Sequence, residues 1–354
     1  MKNSKTLLVT VLIFCAIGVI TFSMFVLSSA TAAREASIDK NMASSDNATD
    51  RWQILADMVR GRGDPGVVVV NDKIHAISGF WSPGYGYVFN QEVYDPISAT
   101  WQSLSMVPEP RSDFVALNYA GNIYTIGGWR EPDPDSGYDD VGVLGFNHMY
   151  DPAVDEWFPK QPLLVPLSGA AGVVLNDKLY IIGGFTRNLQ TTNKVQIYDP
   201  LNNTWDYGTP MNSARSGFGA VVLDGLIYAI GGQDPDNIND VEIYDPATDL
   251  WSAGPALPER RASMAVTVLG GKIYVIGGVE NETSAVKDTM FVFDPDTNLW
   301  STGKPMPTAR SNCRAVAISD KIYVIGGVGE MGAGRANEGY GPFPPPVHIP
   351  IVKK

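Results

Sequence analysis

Ile227-Tyr-Ala-Ile-Gly-Gly232 is a short β-branched run closed by paired glycines, and it begins 22 residues after Trp205. The same phrase recurs at the same offset five more times. Ile74-His-Ala-Ile-Ser-Gly79 follows Trp52, Ile123-Tyr-Thr-Ile-Gly-Gly128 follows Trp101, and Leu179-Tyr-Ile-Ile-Gly-Gly184 follows Trp157. Ile273-Tyr-Val-Ile-Gly-Gly278 follows Trp251, and Ile322-Tyr-Val-Ile-Gly-Gly327 follows Trp300. A fixed offset held over six copies is the signature of one supersecondary unit used repeatedly. The repeat of 46 to 56 residues overrides the two-domain prior that 354 residues would otherwise suggest.

Working outward, Phe218-Gly-Ala-Val-Val-Leu223 and Leu226-Ile-Tyr-Ala-Ile230 flank Asp224-Gly225, a pair that tolerates positive φ and predicts a tight primed hairpin. Asn71-Asp72, Ala120-Gly121, Asn176-Asp177, Gly270-Gly271 and Ser319-Asp320 stand at the equivalent place. A third strand ends in Tyr94-Asp-Pro96, Tyr150-Asp-Pro152, Tyr198-Asp-Pro200, Tyr244-Asp-Pro246 or Phe293-Asp-Pro295, and Asp-Pro opens a turn. The Trp six residues after each Asp marks a fourth strand. Four antiparallel strands per unit make a propeller blade. Trp52, Trp101, Trp157, Trp205, Trp251 and Trp300 are therefore read as structural rings between blades. Gly127, Gly128, Gly183, Gly184, Gly231, Gly232, Gly277, Gly278, Gly326 and Gly327 are read as sites of close backbone approach.

The two ends complement each other. Trp52 is a fourth strand with no third strand before it, and the hairpin 313–327 has no Tyr-Asp-Pro and no Trp after it. Residues 50–55 are expected to pair into that last blade, which closes the ring and removes exposed edges. Val347-His-Ile349 resembles Val195-Gln-Ile197 and Val241-Glu-Ile243, so 347–352 is expected to supply the missing third strand, with 329–346 a Gly/Pro-rich loop. The fold class is all-β: a six-bladed propeller over 50–354, a single monomeric ring.

Residues 1–33 are a different material. Lys2 and Lys5 precede an uncharged apolar run from Leu7 to Leu27, long enough to cross a bilayer, and Ala30-Thr-Ala32 has the small-x-small form of a cleavage site. Both a membrane anchor through 7–27 and a cleaved signal fit; either places the ring outside the cytosol. Residues 34–49 read as a flexible linker. Asn47, Asn202 and Asn281 open glycosylation sequons. Beyond residue 33 the chain holds 24 basic and 38 acidic side chains, which disfavours nucleic acid and anionic lipid as partners of the ring. Cys15 and Cys313 suggest neither a disulfide nor a thiolate metal cluster, and no metal or other cofactor is expected.

Gly-Gly, Tyr-Asp-Pro and Trp in this order and period resemble kelch repeats across 50–327, which implies a six-bladed kelch propeller. The resemblance is specific to fold and says little of function, because kelch rings serve as adaptors, receptors, scaffolds and a few enzymes. Ten residues after the tryptophans stand Arg62, Arg111, Arg215, Arg261 and Arg310, with Leu167 in the remaining place. Kelch adaptors of ubiquitin ligases bind acidic peptides with such arginines, which makes these five candidate ligand groups. The plainer alternative is that each holds its blade through carbonyls and acids. The loops after the glycines share that face and begin with Phe80-Trp81, Trp129 and Phe185; the second also carries Asp133, Asp135, Asp139 and Asp140. Trp81, Trp129 and Phe185 are candidate glycan- or peptide-binding rings, or pins that hold the loops to the blades. The leading expectation is a non-enzymatic recognition or scaffold ring for a glycan or protein. The alternative is an exported sugar enzyme similar to the kelch N-acetylneuraminate epimerases, for which no catalytic residue can be assigned from the sequence.

Overall fold

Asn71 and Asp72, Asn176 and Asp177, and Gly270 and Gly271 all take positive φ, as do Ala120-Gly121 and Asp224-Gly225, so the tight hairpins form where the turn residues place them. In the computed structural model, which describes residues 50–81, 86–131, 141–236, 238–280, 285–330 and 332–343, six four-stranded antiparallel sheets follow one another along the chain. Blade 1 holds Gly66–Val70, Lys73–Ile77, Asn90–Asp95 and Thr100–Met106. Blades 2 to 5 repeat the pattern, from Val115–Tyr119 to Leu299–Thr302. The first strand of each blade packs against those of its two neighbours, so the six inner strands ring a central channel. The chain is an all-β six-bladed propeller.

Blade 6 closes as the repeat arithmetic requires. Arg51–Ile54 pairs antiparallel with Asn337–Gly341, which in turn pairs with Lys321–Ile325. The third strand is thus Asn337–Gly341, within the stretch read as a loop, and not 347–352, whose residues lie outside those described. The segment 329–346 also carries part of a small hairpin, Val328–Gly329 against Gly332–Ala333. Tyr340 fills the repeat's tyrosine place, its ring tilted against Trp52 at 5.2 Å. Its phrase reads Tyr340-Gly-Pro342 instead of Tyr-Asp-Pro, since the chain has no turn to make there: the fourth strand arrives from the other end.

The repeated residues work between blades as well as within them. The second glycine of each pair donates its N–H to the carbonyl of the next unit at the arginine position: Gly79 to Arg111, Gly128 to Leu167, Gly184 to Arg215, Gly232 to Arg261, Gly278 to Arg310 and Gly327 to Arg62, at 2.8–3.0 Å. The first glycine must then clear the same carbonyl. At Gly231 a Cβ would lie 2.6 Å from the Arg261 oxygen, at φ +61. Ser78 breaks the glycine rule at φ +46, and its hydroxyl accepts the Arg111 N–H at 2.9 Å. Each tryptophan lies about 5 Å from its own blade's Tyr or Phe, as in Tyr244–Trp251 at 5.2 Å. Trp52, Trp101, Trp205, Trp251 and Trp300 also donate Nε1 to a carbonyl of the preceding unit. The aspartates of Tyr-Asp-Pro accept the N–H two residues on, as Asp95 does from Ile97 at 2.8 Å.

The apolar leader 1–33, the linker 34–49, Asn47, Asn281 and the loop acids Asp133 to Asp140 lie outside the described residues. No helix among the described residues is long and apolar enough to cross a membrane.

Candidate functional site

The five arginines are the largest fully buried side chains of the ring, at 0–2% exposure. A buried guanidinium needs acceptors and a counter-charge, and each of the five draws its partners from its own blade, with Nε of Arg62, Arg215, Arg261 and Arg310 left without an acceptor. Arg62 meets Glu92 at 2.5 Å, Arg215 meets Glu242 at 2.7 Å and Arg310 meets Glu338 at 3.1 Å. Arg111 bonds the carbonyls of Gly127, Thr125 and Glu109 and lies over the Phe114 ring. Arg261 pairs with Glu259, bonds Thr289 and lies over Phe291. The exception is consistent with this rule. Where Leu167 replaces the arginine, Gln196 replaces the glutamate and its amide bonds the Val165 backbone twice, at 3.0 and 2.9 Å.

The aromatic candidates lie on one face, beside the segments that lead into the inner strands: Phe80 bridges Gly63, Trp129 bridges Ser112 and Phe185 bridges Ser168. Trp81 is 43% exposed, whereas Trp129 and Phe185 are half-buried.

The structure gathers a second set of residues that the motif reading passed over. Two positions beyond each arginine place, Asp64, Asp113, Gly169, Gly217, Ser263 and Asn312 all take positive φ and form a collar at the channel mouth. Backbone bonds run around it: Gly169 N–H to Asp113, Gly217 to Gly169, Ser263 to Gly217, Asn312 to Ser263 and Asp64 to Asn312, at 2.7–3.0 Å. Asp113 and Asp64 are neighbours on the collar, close enough for the Asp64 charge to act on the Asp113 carboxyl. Arg314, whose side chain is 33% exposed, pairs with Asp64 and donates to the Cys313 carbonyl at 3.2 Å. Burial, and then the Asp64 charge, hold the Asp113 carboxyl well above the usual carboxylate range. Asp64, beside it, is the carboxyl that pairs with Arg314.

Below the collar lies a cavity of about 210 Å³, walled by small and apolar residues such as Gly66, Ala171, Gly219 and Ala315. That is room for a small molecule and far short of a folded partner. The signal for this site was present in the repeat. Fourteen residues after each tryptophan stand Gly66, Val115, Ala171, Gly219, Ala265 and, alone in charge, Arg314. Among the described residues no group of three or more His, Cys, Asp or Glu could hold a metal ion.

His75 and His148 sit near the seam of blades 1 and 2. His75 Nδ1 lies 3.0 Å from Gln91 Nε2 and packs on Tyr150. Burial first, then Lys73 and Arg111 respectively, push both imidazoles down to about 4. The unfolded chain takes up these protons as pH falls through about 6.5, and the fold refuses them until about 4. Stability that is intact above 6.5 is thus lost in that window, by about 1.4 kcal/mol per pH unit for each histidine. Urea midpoints at pH 7.5 and 5 should show this loss, and His75→Gln with His148→Gln should shrink it.

Comparison with known proteins places this geometry. The model of the KLHDC2/KLHL20/DRC7 Kelch-repeats domain matches residues 137–327, over half of the chain. Beta-scruin of Limulus polyphemus is 32% identical over 135 residues, which cover 38% of this chain and 14% of that protein. Kelch-like protein 35 of Mus musculus is 29% identical over 140 residues, 40% of this chain and 23% of that one. The aligned part thus spans less than a quarter of these relatives. A solved structure described as "Structure of YjhT" superposes with a TM-score of 0.70 at 15% identity, covering 81% of this chain and 96% of that one, a likeness of fold alone. With the six blades, the glycine-to-carbonyl ring and the matched domain in agreement, the chain belongs to the kelch-repeat family.

Proposed function

We propose that the protein is a carbohydrate-active kelch ring, carried outside the cytosol by its 7–27 segment, that transfers protons at the anomeric centre of a free sugar. In this it would be similar to the kelch-type N-acetylneuraminate epimerases. The observation that carries the reading is the Asp64–Asp113 pair over a cavity with room for a small molecule. Ring opening needs a base for the anomeric hydroxyl and an acid for the ring oxygen. Asp64 takes the hydroxyl proton as Asp113 gives its own to the ring oxygen; the C–O bond breaks and the open chain recloses on either face. Two neighbouring carboxyls, one of them raised by burial, supply both roles. Arg314 anchors the sugar.

The test is mutarotation of N-acetylneuraminate, followed by NMR of the anomeric signals. Micromolar protein should speed it, and Asp113→Asn should lose on the order of a hundredfold or more of that acceleration. No acceleration by the wild type would remove the enzymatic reading.

The exposure of Trp81 favours a second reading, a recognition ring that takes a glycan or protein on the loop face through Trp81, Trp129 and Phe185. There the five arginines would stiffen the platform from beneath. Under this reading Trp81→Ala with Trp129→Ala abolishes capture on a glycan and peptide array while the ring stays folded.

A further inference from the structure

We infer that the ligand of the channel mouth is longer than one ring: Gly169 and Gly217 seat an uncharged substituent that runs from the sugar towards Phe185, and so set which sugars the site accepts. This deepens the sugar-site reading and rests on it.

Neither backbone conformation nor packing calls for these two glycines. Around the collar Asp64, Asp113, Ser263 and Asn312 hold φ between +52 and +55, while Gly169 and Gly217 hold +61 and +58, so four side chains already adopt the same left-handed turn. Gly66, Gly172 and Gly219, which also line the cavity, are fixed by close packing: a Cβ there would lie 2.5 Å from Phe114, 2.3 Å from Val115 and 2.1 Å from Val266. At Gly169 a Cβ would meet nothing nearer than 3.7 Å, and at Gly217 nothing nearer than 3.6 Å, both ordinary contact. The missing side chains therefore open a notch in the collar beside blades 3 and 4. Gly217 stands three places from Asp64 in either direction round the collar, so the notch faces the Asp64–Arg314 pair across the mouth.

The surroundings of the notch suit a neutral group with both polar and apolar sides. Phe185 Cδ2 and Ser216 Cβ come within 3.7 and 3.8 Å of the place of a Gly169 Cβ. Ser216 is fully buried, and among the described residues its Oγ has no hydrogen-bond partner, alone of the four serines at this place of the repeat, Ser112, Ser168, Ser216 and Ser311. Leaving a buried hydroxyl unpaired is unfavourable, and a ligand hydroxyl or amide removes that cost once the serine turns about its one torsion. Phe185 gives the C–H side of the same substituent an apolar wall. Neither residue is charged, and the charged groups of the mouth stand on its other side.

Gly169→Asn with Gly217→Ser places in the notch the side chains that Asn312 and Ser263 carry at nearly the same φ. In the full chain this double variant should keep a urea midpoint near that of the wild type. Its KM for mutarotation of N-acetylneuraminate, which bears an acylamino and a glycerol substituent, should rise about tenfold or more, with a smaller change in kcat. Saturation-transfer NMR of the same sugar on the wild type should saturate the acetyl and glycerol protons as strongly as those of the ring. An unchanged KM in a folded variant overturns the inference, as do substituent protons that stay unsaturated while the ring protons respond. The NMR arm needs no variant and decides the matter if substitution unfolds the ring. Wild-type mutarotation alongside either of those results leaves the enzymatic reading standing. Contact with the substituent but no mutarotation would sink that reading and keep the subsite, and a wild type that does not bind the sugar overturns both.

Discussion

Glu242→Ala should destabilise the ring by about 3–5 kcal/mol, the cost of leaving a buried guanidinium without its counter-charge. Glu242 pairs with Arg215 at 2.7 Å, with 6% and 0% of the respective side chains exposed. It also accepts the N–H groups of Asn212 and Ser213 at 2.7 and 3.0 Å, so its removal orphans two further donors. Arg215 would keep the carbonyls of Gly231 and Asp240 on Nη1, while Nη2 would lose its acceptor along with the counter-charge. The double variant Arg215→Leu, Glu242→Gln should recover most of the loss. Blade 3 already carries that solution in Leu167 and Gln196, whose amide bonds the backbone that Glu242 bonds here. Urea unfolding of the wild type and the two variants checks both steps. A double variant no more stable than Glu242→Ala would show that the arginine, and not the pairing, holds the blade.

Deleting residues 50–55 should abolish the closed ring. Trp52 and Leu55 pack, partly buried, against the blade 6 and blade 1 cores, and their loss removes part of the roughly 1.5–3 kcal/mol that each fully buried large apolar side chain would contribute. Also lost are the pairing of Arg51–Ile54 with Asn337–Gly341, the Trp52 bond to Lys304 and the Arg51 bond to Phe343. Asn337–Gly341 would then become an unpaired edge, which invites association between chains. The truncated chain is expected to run as oligomers in size-exclusion chromatography and to lose its cooperative thermal transition. A monomer with an unchanged midpoint would mean that the closing strand is dispensable.

Strands, turns and ring closure were legible because they depend on residues near one another or at a fixed period. Asp95 with Pro96 makes its turn locally, and Asp224-Gly225 its hairpin. The third strand of blade 6 was misplaced because Tyr340-Gly-Pro342 lacks the aspartate that marked the others. That aspartate serves a turn to the next strand, and here no such turn is needed. The arginines were legible as a repeated position, but only packing shows what they touch. The repeat shows that Leu167 departs from the pattern; the structure shows that Gln196 compensates.

By itself the sequence determined the unit, its strand order and the joining of its ends, since backbone propensity and apolar alternation are written in neighbouring residues. The channel mouth was decided by tertiary structure alone. Asp64 and Arg314 are 250 positions apart in the chain and become an ion pair only because six wedges curve back to their starting point. Asp113 joins them because adjacent blades bring their collar residues to one axis, where burial, and not any local motif, raises its carboxyl.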